Sequence, residues 1–118
     1  MKKIIIINGP NLNLLGNRED EIYGNNTLDE IRDLCVEKGL QKKIQVDFFQ
    51  SNNEGEIINK IHEIENNYDG LIINPAAFTH SSIAILDSLR AISKPKIEIH
   101  LSNIYSREEY RKKSITSE

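Results

Sequence analysis

Glu98 and His100 stand two residues apart in an apolar stretch, so on a strand both side chains face one side while Ile97 and Ile99 face the other. A carboxylate beside an imidazole favours the charged ring, and such a pair can hand a proton to a leaving group. The plainer alternative is a structural hydrogen-bonded pair at a strand end. A second candidate group lies in the stretch 16–24, where Arg18 and Tyr23 sit between Gly16 and Gly24. Irregular loops of this length often act as lids. A tyrosine is normally protonated, but a neighbouring guanidinium favours the phenolate, which can serve as a base. The opposing view is an exposed loop whose tyrosine packs on the surface. Arg107 and Arg111, four apart, share one face of a helix and could cradle a carboxylate or support the phenolate. With Lys112 and Lys113 they could equally form a solvated basic face.

Other polar residues carry less. His80 precedes a helical stretch near a strand end, which suits binding of a ligand hydroxyl. Asp87 falls on the polar side of that helix, and exposure alone explains it. His62 lies on the polar side of another helix and receives no role. Cys35, the single cysteine, lies inside a helix with no histidine beside it in sequence and reads as packing. One cysteine supplies neither an internal disulfide nor a cysteine metal cluster. G-x-G-x-x-G after a strand, G-x-x-x-x-G-K-[ST] and G-x-S-x-G are all missing. The Asn- and Leu-rich loop after the first apolar run lacks the hydroxyls of a phosphate cradle, which speaks against flavin mononucleotide. Three histidines on separate elements make a weak metal signal. Cofactor-free proton chemistry on a small polar anion is what these residues leave.

Four apolar segments, 3–7, 44–49, 70–73 and 96–99, read as buried strands. The runs 4–7 and 71–73 are continuously apolar, as in a parallel sheet covered on both faces. Three helices alternate with them. Thr27 with Glu30 and Ser51 with Glu54 have the spacing of a capping box. The first helix is expected to stop at Gly39 as its C′ residue. The second buries Ile57, Ile58, Ile61 and Ile64 on one stripe. The third runs from about Ser81 to Ile92, burying Ile85, Leu86 and Leu89 and ending before Pro95. The order β-α-β-α-β-α-β implies a parallel sheet with right-handed crossovers, and ligands of such sheets bind beyond the carboxyl ends of the strands. The first, third and fourth strands are followed by Asn8 to Asn11, Asn74 to His80, and His100 to Asn103, so Asn and His side chains gather where a site is expected.

The whole chain has 118 residues, 15 Lys and Arg against 18 Asp and Glu, 38% hydrophobic and 28% charged residues. That composition fits one soluble globular domain spanning residues 1–118. The longest apolar run is far short of the ~20 residues of a spanning helix. The start lacks a small-residue cleavage site, so a cytoplasmic location is expected. A net charge of −3 gives no reason to expect nucleic acid or an anionic membrane as partner.

Several ordered blocks nevertheless resemble one family closely. They are Asn8-Gly9-Pro10-Asn11-Leu12-Asn13-Leu14-Leu15-Gly16, Arg18-Glu19 with Tyr23-Gly24, and Phe49-Gln50-Ser51 with Glu54-Gly55. Asn74-Pro75-Ala76 with Thr79-His80-Ser81, and Glu98-Ile99-His100-Leu101-Ser102-Asn103 with Arg107-Glu108, complete the set. Together they resemble type II 3-dehydroquinate dehydratase over nearly the whole chain. The resemblance implies an α/β, three-layer flavodoxin-like sheet with helices on both faces. It further implies reversible anti elimination of water from 3-dehydroquinate to 3-dehydroshikimate through an enolate, with neither metal nor Schiff base. On that basis Tyr23 is similar to the base that removes the C2 proton, with Arg18 favouring its phenolate and Arg107 supporting it. Asn11 resembles the residue that holds a water against the enolate oxygen, and His100 the general acid oriented by Glu98. Asn74, Leu101 and Ser102 resemble binders of the substrate carboxylate and hydroxyl, and His80 and Arg111 binders of ring hydroxyls. Asp87 resembles a residue that reaches into a neighbouring subunit of trimers that assemble into dodecamers.

Two departures accompany the resemblance. Asp20 stands where the family commonly has proline, and the sequence ends at Glu118 where the family continues through another strand and a helix. The expectation is therefore a sheet lacking its final strand and helix, with apolar surface exposed at its edge. The alternative function to the dehydratase is a truncated or inactive member that binds ligand or partner subunits without turnover. A flavodoxin-like electron carrier shares the fold alone.

Overall fold

The computed structural model describes residues 1–16 and 26–100. Strand β1 (Lys2–Asn8) is followed by a 3-10 turn (Leu12–Leu14), helix α1 (Leu28–Gln41) and strand β2 (Ile44–Gln50). Helices α2 (Glu54–His62) and α3 (Ile64–Asn67) lead to strand β3 (Gly70–Asn74). A second 3-10 turn (Ala76–His80), helix α4 (Ile83–Ala91) and strand β4 (Lys96–Glu98) complete the described residues. All pairings are parallel, in the order β2-β1-β3-β4. The expected strands and the α/β class hold.

This order dictates the layers. The chain steps from β1 to β2 in one direction, then back past β1 to β3 and β4 in the other. With right-handed crossovers, the helix of the first step lies on one face and the helices of the later steps on the opposite face. On the α2–α4 face, Ile5, Ile7, Leu71 and Ile73 meet Ile57, Ile61, Ile64, Ile85, Leu89 and Ile92 in one core cluster. Ile58 packs against that cluster while only partly buried. On the other face, α1 lies against Val46 of β2. On β4, Ile97 remains 60% exposed. Among the described residues no helix is long and apolar enough to cross a membrane.

Three local expectations are corrected. Gly39 does not end α1. The helix continues to Gln41, and a Cβ on Gly39 would lie 2.5 Å from Val46 Cγ2 and 2.8 Å from the Ile44 carbonyl oxygen. Glycine is there to let the helix approach β2, and the left-handed turn falls at Lys43 with φ 60. The capping box at Ser51 does not form either. Asn53 is the N-cap of α2, accepting from the Glu56 N–H, while Ser51 Oγ accepts from the Asn53 N–H at 2.9 Å. Glu54 turns away to accept from the Ser82 hydroxyl at 2.6 Å. Finally, α4 starts at Ile83 with Ser82 as its cap, because the segment from Ala76 first makes its own 3-10 turn. The Thr27 cap of α1 forms as expected: its hydroxyl accepts from the Glu30 N–H and donates to the Glu30 carboxylate.

Candidate active site

In a sheet ordered β2-β1-β3-β4, β1 and β3 flank the point where the chain reverses direction, which is where sheets of this kind bind their ligands. Polar residues occupy that point. Asn8 ends β1, Asn74 ends β3, and the two are in register, with Gln50 at the same level on β2. Asn8 is buried and its Nδ2 donates to the Phe49 carbonyl at 3.1 Å, so it ties β1 to β2. Asn74 is buried as well, and its Oδ1 accepts from the Ala76 N–H at 3.1 Å. That bond folds the chain into the turn that carries His80, with Ala76 in a left-handed conformation at φ 52.

The two loops touch through their backbones. Gly9 N–H donates to the Asn74 carbonyl at 2.7 Å, and a Cβ on Gly9 would stand only 2.3 Å from the Pro75 carbonyl oxygen. Only glycine permits this approach. Past Gly9, Asn11 is exposed and left-handed at φ 68, capping the 3-10 turn whose Leu12 and neighbouring Leu15 are buried. Asparagine tolerates this conformation better than most residues.

On β4 the Ile99 N–H donates to the Ile73 carbonyl at 2.8 Å, so the strand geometry carries on toward His100. His100 Nε2 stands 3.0 Å from Glu98 Oε2, and both side chains are largely buried, at 21% and 13% exposure. The two-residue spacing thus places them on one face, as expected. The face is the one that Ile73, the register partner of Glu98, shares with α4. A protonated imidazole held this way has a carboxylate to stabilise its charge and fix its ring, as proton delivery requires.

Of the other candidates, His80 closes the second 3-10 turn instead of opening a helix, and is half-buried. Asp87 is exposed on α4 between the buried Leu86 and Ser88. Cys35 is partly buried and burial pushes its thiol up, which disfavours a nucleophilic thiolate. Arg18, Tyr23, Leu101, Ser102, Arg107 and Arg111 lie outside the described residues. The structure therefore places Asn11, Asn74, His80 and the Glu98–His100 pair at or just beyond the carboxyl ends of β1, β3 and β4, with Asp87 exposed on α4. Sequence reasoning assigned no role to Gln50, which appears there only within a motif block, or to Asn52, and the side chains of both hold the Asn11 loop. Their signal was their place directly after β2, beside the loop of β1.

Comparison with known proteins agrees with this geometry. The family described as Dehydroquinase class II matches residues 2–118. A 3-dehydroquinate dehydratase of Clostridium botulinum (strain Hall) is 58% identical over 118 residues, covering 100% of this chain and 80% of that protein. One from Thermoanaerobacter pseudethanolicus is 54% identical over 117 residues, covering 99% of this chain and 79% of its own. Among solved structures, a type II dehydroquinase from Butyrivibrio crossotus superposes with a TM-score of 0.96 at 49% identity. It is covered to 81%, against 98% of this chain. With the family matched across nearly every residue and the fold reproduced, the chain belongs to the class II dehydroquinases.

Proposed function

We propose that the residues at the carboxyl edge of the sheet divide between them a proton abstraction, the holding of an enolate and the protonation of a leaving hydroxyl. As a type II dehydroquinase the chain is a hydro-lyase, converting 3-dehydroquinate to 3-dehydroshikimate in the shikimate pathway of aromatic amino acid biosynthesis. Tyr23, as phenolate favoured by Arg18 and Arg107, removes the C2 proton. The electron pair moves onto the carbonyl oxygen, and Asn11 holds a water against the resulting enolate, which is stabilised as in an oxyanion hole. Collapse of the enolate expels the hydroxyl as His100, oriented by Glu98, delivers its proton. Asn74 uses its oxygen in the turn, which leaves its amide NH2 as the group offered to the substrate, beside Leu101 and Ser102. His80 and Arg111 meet ring hydroxyls.

The observation that carries this reading is the Glu98–His100 pair, seated at the carboxyl edge of the sheet where the substrate is expected. We further read residues 1–118 as one domain of a cytoplasmic homo-oligomer. In it, trimers assemble to a dodecamer and the exposed Asp87 reaches a neighbour's site. The reaction as read uses neither a metal nor an imine. The alternative of a binding-only member has less support, since every residue to which the resemblance gives a catalytic role is present.

Purified protein mixed with 3-dehydroquinate should produce the ultraviolet absorbance of a conjugated enone, surviving chelator and borohydride. Tyr23→Phe should abolish it while circular dichroism stays unchanged. Tight binding of an enolate-mimicking anhydroquinate with no product would instead establish the binding-only member, and full activity of Tyr23→Phe would remove Tyr23 from the mechanism.

A further inference from the structure

Asn11 occupies a left-handed backbone conformation, which asparagine tolerates better than most residues but which still gains from partners that hold it. Its own turn supplies half of that hold. The Leu14 N–H donates to the Asn11 carbonyl at 3.0 Å, and the Asn11 side chain takes no part in capping. The other half comes from the next strand. Asn52 Oδ1 accepts from the Asn11 N–H at 2.9 Å. The same oxygen accepts from Gln50 Nε2 at 3.1 Å, and that amide also donates to the Gly9 carbonyl at 3.1 Å. Ser51 N–H donates to the Asn8 carbonyl at 3.1 Å, so the two loops start from one continued ladder. Asn11 is thus held at its N–H by Asn52 and at its carbonyl by its own turn, with its side chain taking part in neither contact.

We propose that Asn52 is the positioning residue of Asn11, acting through its carboxamide oxygen alone and braced by Gln50. The proposal deepens the reading given above and rests on the enolate role of Asn11. Asn52 is exposed and outside the core cluster, so its effect runs through these bonds. Because only Oδ1 enters them, an aspartate keeps both bonds and a leucine keeps neither.

The test is steady-state kinetics with 3-dehydroquinate, beside thermal melting, for Asn52→Leu, Asn52→Asp, Gln50→Met, Asn11→Ala and the Asn11→Ala/Asn52→Leu double variant. Asn52→Leu is expected to lower kcat roughly tenfold, a fraction of what losing an oxyanion donor costs, with KM changed by less than about threefold. Asn52→Asp should restore kcat to within about threefold of wild type, since both hydrogen bonds survive. Gln50→Met should fall between them and gives the reading should Asn52→Leu fail to fold. In the Asn11→Ala background, Asn52→Leu should cost nothing more. A melting point lowered with kcat intact, an additive double variant, or an aspartate as poor as leucine would each overturn the proposal. An Asn11→Ala enzyme with wild-type kcat would instead overturn the enolate role of Asn11, and the proposal with it. A slow Asn11→Ala beside an unimpaired Asn52→Leu would overturn the positioning role alone.

Discussion

Glu98 Oε2 and His100 Nε2 lie 3.0 Å apart on one face at the carboxyl end of β4, each largely withdrawn from water. Glu98→Gln keeps the shape and a hydrogen-bonding partner but removes the charge that steadies an imidazolium. We expect kcat to fall by about 10- to 100-fold and His100→Ala to lower it by about 10²- to 10⁴-fold. If the pair acts as a unit, the double variant is no slower than His100→Ala alone. A structural pair would instead lose thermal stability with kcat preserved.

Gly39 gives a prediction that runs against helix propensity. In an open helix, replacing glycine with alanine adds about 1 kcal/mol of stability. Here the new methyl would meet Val46 Cγ2 at 2.5 Å and the Ile44 carbonyl at 2.8 Å. Pushing α1 off β2 costs about 1–3 kcal/mol. Urea unfolding of Gly39→Ala should show a net loss, and a gain would mean that α1 adjusts freely.

The Tyr68–Asp47 contact sets a pH dependence at both ends of the scale. Tyr68 Oη donates to Asp47 Oδ2 at 2.7 Å, and Lys3 Nζ lies 3.9 Å from that oxygen and 5.0 Å from the ring centroid. The Tyr68 bond is the main cause holding the Asp47 carboxyl below its ordinary value of 3.8. Burial, then the Asp47 bond, pushes the Tyr68 phenol up to about 12 from 10.0. Asp47 binds its proton more weakly folded than unfolded, so its contribution is present above pH 3.8 and is lost as pH falls through the lowered value. Tyr68 holds its proton more tightly when folded. Its contribution is therefore complete below pH 10.0 and is lost as pH rises toward about 12. Denaturation midpoints of Tyr68→Phe across pH should show a shallower decline on both limbs. An unchanged acid limb would remove Tyr68 as the cause of the Asp47 shift.

Ser82 serves two helices at once. Its oxygen accepts from the Ile85 N–H at 3.0 Å to cap α4, and its proton goes to Glu54 at 2.6 Å in the first turn of α2. Ser82→Ala removes the cap and leaves a partly buried carboxylate with one donor fewer, a loss of about 1–2 kcal/mol. Glu54→Gln keeps the link between the helices and should cost less. The order of the two midpoints in chemical denaturation is the check, and a larger loss for Glu54→Gln would show the charge itself to matter most.

The sheet was legible because four apolar segments could be buried only as a parallel stack, and the order of helices and strands left few ways to connect them. The Glu98–His100 pairing was legible for the same kind of reason: strand periodicity alone puts both on one face. What escaped was decided by distant partners. Gly39 looks like a helix stop until Val46 is known to lie above it, and Ser51 looks like a cap until Asn53 takes the position. Asn52 is another polar loop residue until pairing of β1 with β2 brings it beside Asn11. The roles proposed for Asn11, Asn74 and Asp87 came through resemblance alone, because an asparagine at a strand end or an exposed aspartate has no spacing that marks it, whereas His80 was marked by its place near a strand end.

The central position of β1 has a consequence for how the site comes into being. Asn8 finds its neighbours on β2 and β3 only across long stretches of intervening chain. Gly9 reaches Asn74 only once β1 lies against β3, and Asn11 reaches Asn52 only once β1 lies against β2. The two contacts together therefore require three strands drawn from distant parts of the chain, so a molecule that has aligned only two of them holds half of the floor for the substrate. Substrate or an analogue should thus protect these residues from hydrogen exchange through global unfolding, not through local opening of one loop.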